Sequence, residues 1–536
     1  MRKWHGNEWA ILLTLSLGFF MTLLDLTIVN IAIPNMIDKL NASLDEVLWV
    51  LNGYILILAV LLITFGRLGD LRGPRNLFIL GVAVFTIASF LCGISQNPAE
   101  LIGARVIQGV GAALLMPQTM TLIISTFPAD RRGAAMGIWG AVAGVATIAG
   151  PTVGGLLVSA LDWRWIFFVN LPVGVLVVVM AFVIIPDIRP GVHHKLDWTG
   201  VVLASAVLFL FTFALTEGQR YDWNTWIWGL MAAAVVVLVG FVLQQRARQD
   251  NEPLVPFALF RDRNYTVMSL VSMAVALAMI GFFLPTTLYF QSVLGYSALK
   301  AGLVVAPASI VSLPLAPIAG RLTDRIGGKY LLMGGLTLYG VGAGWMVAIA
   351  QPDSEWYIFL APMIVAGFGI GFLFAPMATI AMHNVSPRMA GAASGVMNTL
   401  RQVGSVLGSA ATGALLQHQL VTSLTSEATK RSTALPPQYR AQFIGGFKQA
   451  AKGGLEMGGG QPAKPPAGVS KDMATQLAAL GKAVFGHGYV TAMRAAVALP
   501  VIIVLVAALG CLALKERRSA QTPTDTPPVE AGLAGG

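Results

Sequence analysis

The sequence predicts an all-α membrane protein of fourteen helices arranged six, two and six, with both termini in the cytoplasm. Three observations carry that reading. The chain has 536 residues, 56% of them hydrophobic and only 11% charged, against roughly 25% charged in soluble domains. One core could not hide so much apolar surface, so lipid is the remaining solvent. Second, about fourteen apolar runs of about 20 residues each suit helices crossing a ~30 Å hydrocarbon layer. Third, a phrase occurs twice: GRLGDLRGPRN from Gly66 to Asn76, and GRLTDRIGGK from Gly320 to Lys329. Each copy is a turn between two apolar runs, which points to two related halves.

The runs can be taken in order. The first, 9–34, carries Asp25 and is too long for a signal-peptide core, so it reads as a retained helix. Runs 47–66 and 77–95 flank the first turn, and 100–124, 134–159 and 165–186 complete six. The two turns lie 254 residues apart, whereas a plain six-plus-six chain needs about 200. Runs 198–216 and 225–243 are the natural inserted pair. The second six fall at 266–291, 301–320, 330–350, 357–382, 391–416 and 490–514. The expected division is therefore 1–190 as an N-terminal six-helix bundle and 191–262 as two linker helices with a cytoplasmic connection. A C-terminal bundle over 263–518 follows, and then a disordered cytoplasmic tail over 519–536. The second bundle includes a long extracellular loop, 417–489, with helical stretches expected at Gln438–Ala451 and Met473–Val484 and a disordered Gly/Pro-rich centre.

The net charge is +10. Nucleic acid is the weaker explanation, because the basic residues are distributed as in a membrane protein. About twenty Lys/Arg fall on the cytoplasmic side, from Arg2, Lys3, Arg67, Arg72 and Arg75 to Lys515, Arg517 and Arg518, and about four outside: Lys39, Arg164, Arg220 and Lys300. Cys92 and Cys511 imply no disulfide framework. No G-x-x-x-x-G-K-[ST] loop offers ATP as an energy source. His193-His194 lacks partners at metal spacing, and Gly367-x-Gly369-x-Gly371 lies in an apolar run with no strand before it, which excludes a dinucleotide loop. No nucleophile–base set marks an enzyme.

Four stretches concentrate chemistry. LDLTIVNIAIP (Leu24–Pro34) holds Asp25 and Asn30, and Asp25 is the one acid placed deep in a span, about 24 Å from its inner end and about 13 Å from its outer end. A carboxyl there is costly and signals function by default, a structural hydrogen-bonding acid being the plainer alternative. LIGARVIQGVGAALLMPQ (Leu101–Gln118) sets Arg105 about 8 Å deep, near the level of Asp25, with Gln108 beside it. The two charges can pair or share water, unless Arg105 snorkels. GAVAGVATIAGPTVGG (Gly140–Gly155) spaces Gly140 from Gly144 and Gly150 from Gly154 by four, with Pro151 removing a backbone donor. That pattern favours close helix packing and a kink. In the repeated turn, Asp70 and Asp324 are placed to cap a neighbouring helix, with Arg67, Arg72 and Arg75 available to pair with Asp70 and Gly73 permitting the tight turn. A simple basic cytoplasmic turn is the alternative there.

On these motifs the chain resembles the major facilitator superfamily, and within it the fourteen-span drug:proton antiporters of the EmrB/QacA type. WRWIFFVNLPVG (Trp163–Gly174), LDWTG (Leu196–Gly200) and NTLRQVGSVLG (Asn398–Gly408) resemble that branch in particular. The resemblance implies a proton-coupling role for Asp25, Arg105 and Gln108. It implies a conformational latch at Gly66, Arg67, Asp70, Arg72, Gly73 and Arg75, with Asp324 in the second copy, which lacks the proline. It also implies an antiporter motif at Gly150, Pro151, Gly154 and Gly155. Arg401, within span thirteen, and Asn30 are candidates to line a cavity or support a gate, with packing or snorkelling the alternative for Arg401. Span ten lacks the acid that some relatives exporting divalent cationic compounds carry there, which argues against that substrate class. The expected activity is export of lipophilic drugs or antibiotics across a bacterial plasma membrane, driven by the proton gradient with no cofactor or metal, by a functional monomer that binds no nucleic acid. Export of a single endogenous metabolite is the alternative, and loss of Asp25 would have favoured a non-transporting membrane protein.

Overall fold

The computed structural model describes residues 6–42, 44–128, 131–187, 197–218, 221, 223–249, 253–296, 298–386, 389–452 and 471–515. Within them every regular element is helical. Helices α1 (Glu8–Leu40), α2 (Leu44–Arg72), α3 (Pro74–Ile94), α4 (Pro98–Thr126) and α5 (Arg132–Ala160) come first, then the one-turn α6 (Trp165–Phe168) and α7 (Asn170–Ile184). Helices α8 (Trp198–Glu217) and α9 (Thr225–Ala247) form a hairpin. After α10 (Ala258–Arg261) come α11 (Arg263–Leu288), α12 (Ala298–Ile326), α13 (Lys329–Ile349), α14 (Leu360–Gly371), α15 (Phe374–Met382), α16 (Ala390–Ser432), α17 (Pro437–Lys452) and α18 (Lys471–Gly510).

Helix starts follow from capping chemistry. Asn7, Asn97, Asp197, Asn224 and Asp262 each accept a backbone N–H of the first turn, satisfying donors that have no partner inside the helix. Pro98 and Pro74 occupy the first helical position, where a missing N–H costs nothing. Among the described residues twelve helical segments are long and apolar enough to cross a membrane. The segment Trp356–Met382 is one of them, interrupted between α14 and α15. Helices α5 and α16 lie where the fifth and thirteenth spans were expected. Several side chains of α5 lie outside those described, and α16 is rich in Gly, Ser and Thr.

The internal repeat extends beyond the turn. Gly81 and Gly335, again 254 residues apart, each sit at a close helix crossing. A Cβ on Gly81 would lie 2.7 Å from Leu115 N in α4, and one on Gly335 would lie 3.0 Å from Phe372 O, at the break between α14 and α15. Small residues bring backbones together where lipid supplies no hydrophobic drive. Helix α2 packs on α16, and α5 on α12, joining the first set of helices to the second. The α8–α9 hairpin touches both sets: Val201, Ala204 and Leu208 share one apolar cluster with Leu56, Val60 and Ile63 of α2 and Val396 of α16.

The region expected to be a loop over 417–489 is more ordered than its composition suggests. Helix α16 runs unbroken to Ser432, α17 covers the first predicted helical stretch, and α18 begins at Lys471 and absorbs the second. Leu416, Leu420, Leu424 and Val484 form an apolar core there, with Phe443, Ile444 and Phe447 packed on it. The Gly/Pro-rich centre and the 519–536 tail lie outside the described residues.

Candidate functional site

Five elements converge on Asp25. Helix α1 supplies the carboxylate, α4 supplies Arg105 and Gln108, α3 supplies Ser89 and Cys92, α2 supplies Tyr54 and the carbonyl of Val50, and α7 supplies Asn170. Asp25, Arg105, Gln108, Ser89 and Tyr54 are all 0% exposed. Arg105 Nη1 donates to Asp25 Oδ2 and, at 2.7 Å, to Gln108 Oε1. Its Nε donates to Val50 O at 3.0 Å. Gln108 Nε2 donates to Asp25 Oδ1 at 2.9 Å, and Asn170 Nδ2 to the same oxygen at 3.4 Å and to Ser89 Oγ at 3.0 Å. The guanidinium lies over the Tyr54 ring, 4.3 Å from its centre. An isolated charge at this depth would be prohibitive. The pair persists because both carboxylate oxygens and the guanidinium Nε and Nη1 are hydrogen-bonded, and aromatic faces carry the flat side of the cation.

Such a closed network is chemically poised. A proton on Asp25 removes the charge that Arg105 faces and one acceptor from the ring of donors. The attraction between α1 and α4 then weakens, and a buried cation needs a new counter-charge. Sequence reading placed Asp25, Arg105 and Gln108 together by depth, and the structure brings them into contact. It missed Ser89, Tyr54 and Asn170. Asn170 stood inside the quoted WRWIFFVNLPVG stretch, where it is the first residue of α7, but a neutral side chain gave no charge signal to single it out.

The turn Gly66–Arg75 forms a second cluster. Asp70 accepts N–H of Gly391 at Oδ1 and of Ala392 at Oδ2, each at 2.7 Å, so it caps α16 across the seam between the two sets of helices. The approach is close enough that a Cβ on Gly66 would lie 2.5 Å from Gly391 O. Gly73 has φ +96°, which favours glycine. Of the three arginines, only Arg67 approaches Asp70, at 3.9 Å. Arg75 instead donates to Phe182 O at 2.8 Å, and Arg72 closes α2 on the exposed surface. Asp324 is half-buried near the end of α12.

In α5, a Cβ on Gly150 would lie 2.0 Å from Thr27 Oγ1, which itself donates to Ala146 O at 3.3 Å. Gly150 is thus the point where α5 presses on α1, two residues along from Asp25. Gly154 is buried, whereas a Cβ on Gly155 would meet nothing within 4 Å. The side chains of Asn30 and Pro151 lie outside the described residues. Arg401 is half-buried within α16. At the end of α8, Glu217 is 4% exposed, a buried acid besides Asp25 and Asp197 that sequence reading set one residue past its predicted span. Among the described residues no group of three or more His, Cys, Asp or Glu is placed to hold a metal.

A helical protein with twelve membrane-competent segments, an internal repeat and a buried charged network is, by class, a multi-pass membrane transporter. The Major Facilitator Superfamily model matches residues 15–409, and the chain belongs to that family. A transporter of Mycobacterium tuberculosis of the same type, itself uncharacterized, is 40% identical over 457 residues, covering 84% of this chain and 79% of the relative. The tetracenomycin C resistance and export protein of Streptomyces glaucescens is 35% identical over 414 residues, 77% and 76% of the two chains. A multidrug resistance protein of M. tuberculosis is 33% identical over 416 residues, again 77% and 76%. Among solved structures, the proton:xylose symporter XylE shares the fold at TM-score 0.55 and 13% identity, covering 83% of this chain and 94% of its own. These matches identify a multi-pass plasma-membrane transporter rather than an enzyme.

Proposed function

We propose that this protein is a proton-coupled exporter of lipophilic drugs or antibiotics, of the fourteen-span type, with both termini in the cytoplasm and acting as a monomer. The observation that carries the reading is the fully buried Asp25, held by Arg105, Gln108 and Asn170. Resistance and export proteins among the relatives support the direction and the substrate class.

In this reading, deprotonated Asp25 ties α1 to α4 through Arg105. Proton entry from outside releases the tie, and proton release to the cytoplasm restores it. Asp70 on the N-terminus of α16 stabilises the conformation closed at that end, because a carboxylate suits the positive end of a helix. Substrate binds between the two sets of helices and leaves as they rock. Uptake of a fluorescent drug into inverted vesicles under a proton gradient tests the coupling. The parent should concentrate the drug and dissipate the gradient, and Asp25→Asn should do neither. Uptake by Asp25→Asn equal to the parent's would show that the coupling runs elsewhere. For topology, a cysteine at the exposed Ser426 should react with an impermeant reagent from outside and one at Ser519 should not.

A further inference from the structure

Arg401 is a second arginine deep within a helix, and its circumstances differ from those of Arg105. It lies about 17 Å along α16 from Ala390, at 1.5 Å per residue, near the middle of a ~30 Å layer. Helix α16 is flanked by α2, α4 and α8 as well as α11 and α18, so the side chain has no simple route to lipid headgroups. Helical spacing sets it on one face with Ser394 and Asn398, at steps of four and three. That face looks across the seam: Ser394 Oγ donates to Pro117 O of α4 at 3.3 Å, and Ser394 and Asn398 are buried. One turn on, Gly404 and Gly408 let α11 close against α16. Cβ atoms there would lie 2.2 Å from Met273 O and 2.4 Å from Leu277 O. Yet among the described residues the Arg401 guanidinium has no hydrogen-bond, ion-pair or ring partner.

Charges inside proteins are paired, because an unpaired one forfeits its hydration without recompense. A permanently charged, half-buried arginine at mid-depth, with no partner for its guanidinium among the described residues, is a site for a counter-charge brought by another molecule. We propose that this partner is the transported molecule, and that Arg401 binds an acidic group on it, which makes the preferred substrates lipophilic anions such as aromatic carboxylic acids, phenolates and enolates. The planar fork of an arginine matches a carboxylate or a pair of adjacent oxygens better than a lysine does. The neutral Ser394 and Asn398 on the same face add hydrogen bonding without repelling an anion. The inference rests on the export reading for its physiological setting, but its test is a binding measurement and stands apart from transport.

Fluorescein and rhodamine 6G share a xanthene skeleton and carry opposite charge. Each is titrated against the full-length protein in nanodiscs of zwitterionic lipid, at a pH where fluorescein is ionised. The parent should bind fluorescein more tightly than rhodamine 6G. Arg401→Gln should weaken fluorescein at least about tenfold, the loss expected for one charge-assisted hydrogen bond, and should leave rhodamine 6G unchanged or tighter. Arg401→Lys should lie between parent and Arg401→Gln, and it decides the matter if Arg401→Gln does not fold. The assignment is overturned if the parent binds no fluorescein or prefers rhodamine 6G, or if Arg401→Gln keeps the parent's fluorescein affinity. It is equally overturned if both dyes weaken alike, which would give Arg401 a packing role. Intact fluorescein binding with no gradient-driven uptake into inverted vesicles would instead count against proton-driven export and leave the anion assignment in place.

Discussion

Two arginines within helices, one enclosed and one half-buried, divide the molecule. Arg105 is completely enclosed, spends its donors on Asp25, Gln108 and Val50 O, and lies on the Tyr54 ring. Arg401 is half-buried and spends none of its side-chain donors on described residues. The first charge is internally balanced, so only a small ion such as a proton can disturb it. The second remains open to a larger partner. A transporter that couples two fluxes has use for both kinds of site, and keeping them on opposite sides of a seam lets one bias the other through helix movement.

The largest expected effect comes from breaking the balanced side. Asp25→Asn should abolish uphill transport and, by leaving Arg105 without its counter-charge, destabilise the protein by about 3–5 kcal/mol. Arg105→Gln should cost a similar amount. The double variant should be markedly more stable than the sum of the two losses, measured by thermal unfolding in detergent. Additive losses would mean that the two side chains do not act as a pair.

Next in size is the contact behind that network. Gly150→Leu would drive a side chain into Thr27, costing about 1–3 kcal/mol by overpacking, and it should stop vesicle uptake. Gly155→Leu, where a Cβ meets nothing within 4 Å, should transport nearly as the parent does. Equal behaviour of the two would strip the glycine pattern of positional meaning.

A smaller effect tests the seam. Asp70→Asn keeps the size of the cap on α16 but loses its charge and one of its two acceptor oxygens, worth about 1 kcal/mol. That amounts to about a fivefold shift toward the conformation in which α2 and α16 separate, read by spin-label distances across the two helices.

The smallest concerns the α8–α9 hairpin. Burial alone would raise the Asp197 carboxyl, but hydrogen bonds from Gln244, the Gly200 N–H, Gln245 and Arg248 outweigh it and hold the group below its ordinary value. A depressed folded-state value adds stability that is present above the unfolded value of about 3.9 and is lost as pH falls through the folded one. Unfolding of the parent should therefore become easier in that acid range, and Asp197→Asn should flatten the dependence there.

The sequence was most legible where a polar residue interrupts an apolar run. Asp25 and Arg105 stood out for that reason, and their similar depth followed from helix rise alone. The Asp70 cap was legible in type, since an acid in a tight turn seeks a helix N-terminus, but its partner was not, because Gly391 is more than three hundred residues away. Ser89 and Asn170 were invisible because neutral side chains carry no charge signal and their helices meet α1 only in the folded state. The long α16 was cut short because an apolar run ends where water begins, while backbone hydrogen bonds do not. Its C-terminal half is amphipathic and is held by Phe443, Ile444 and Phe447 of α17 and its neighbours.

That continuity has a mechanical meaning. At 1.5 Å per residue, the 43-residue α16 is a strut about 65 Å long, gripped at one end by Asp70 and bundled at the other with α17 and α18. A tilt of about five degrees about its gripped end sweeps the far end through roughly 5–6 Å over that length. Release of two hydrogen bonds on one side of the membrane is thereby amplified into a displacement on the other, and Arg401, a quarter of the way along the lever, moves by less than 2 Å on the same estimate.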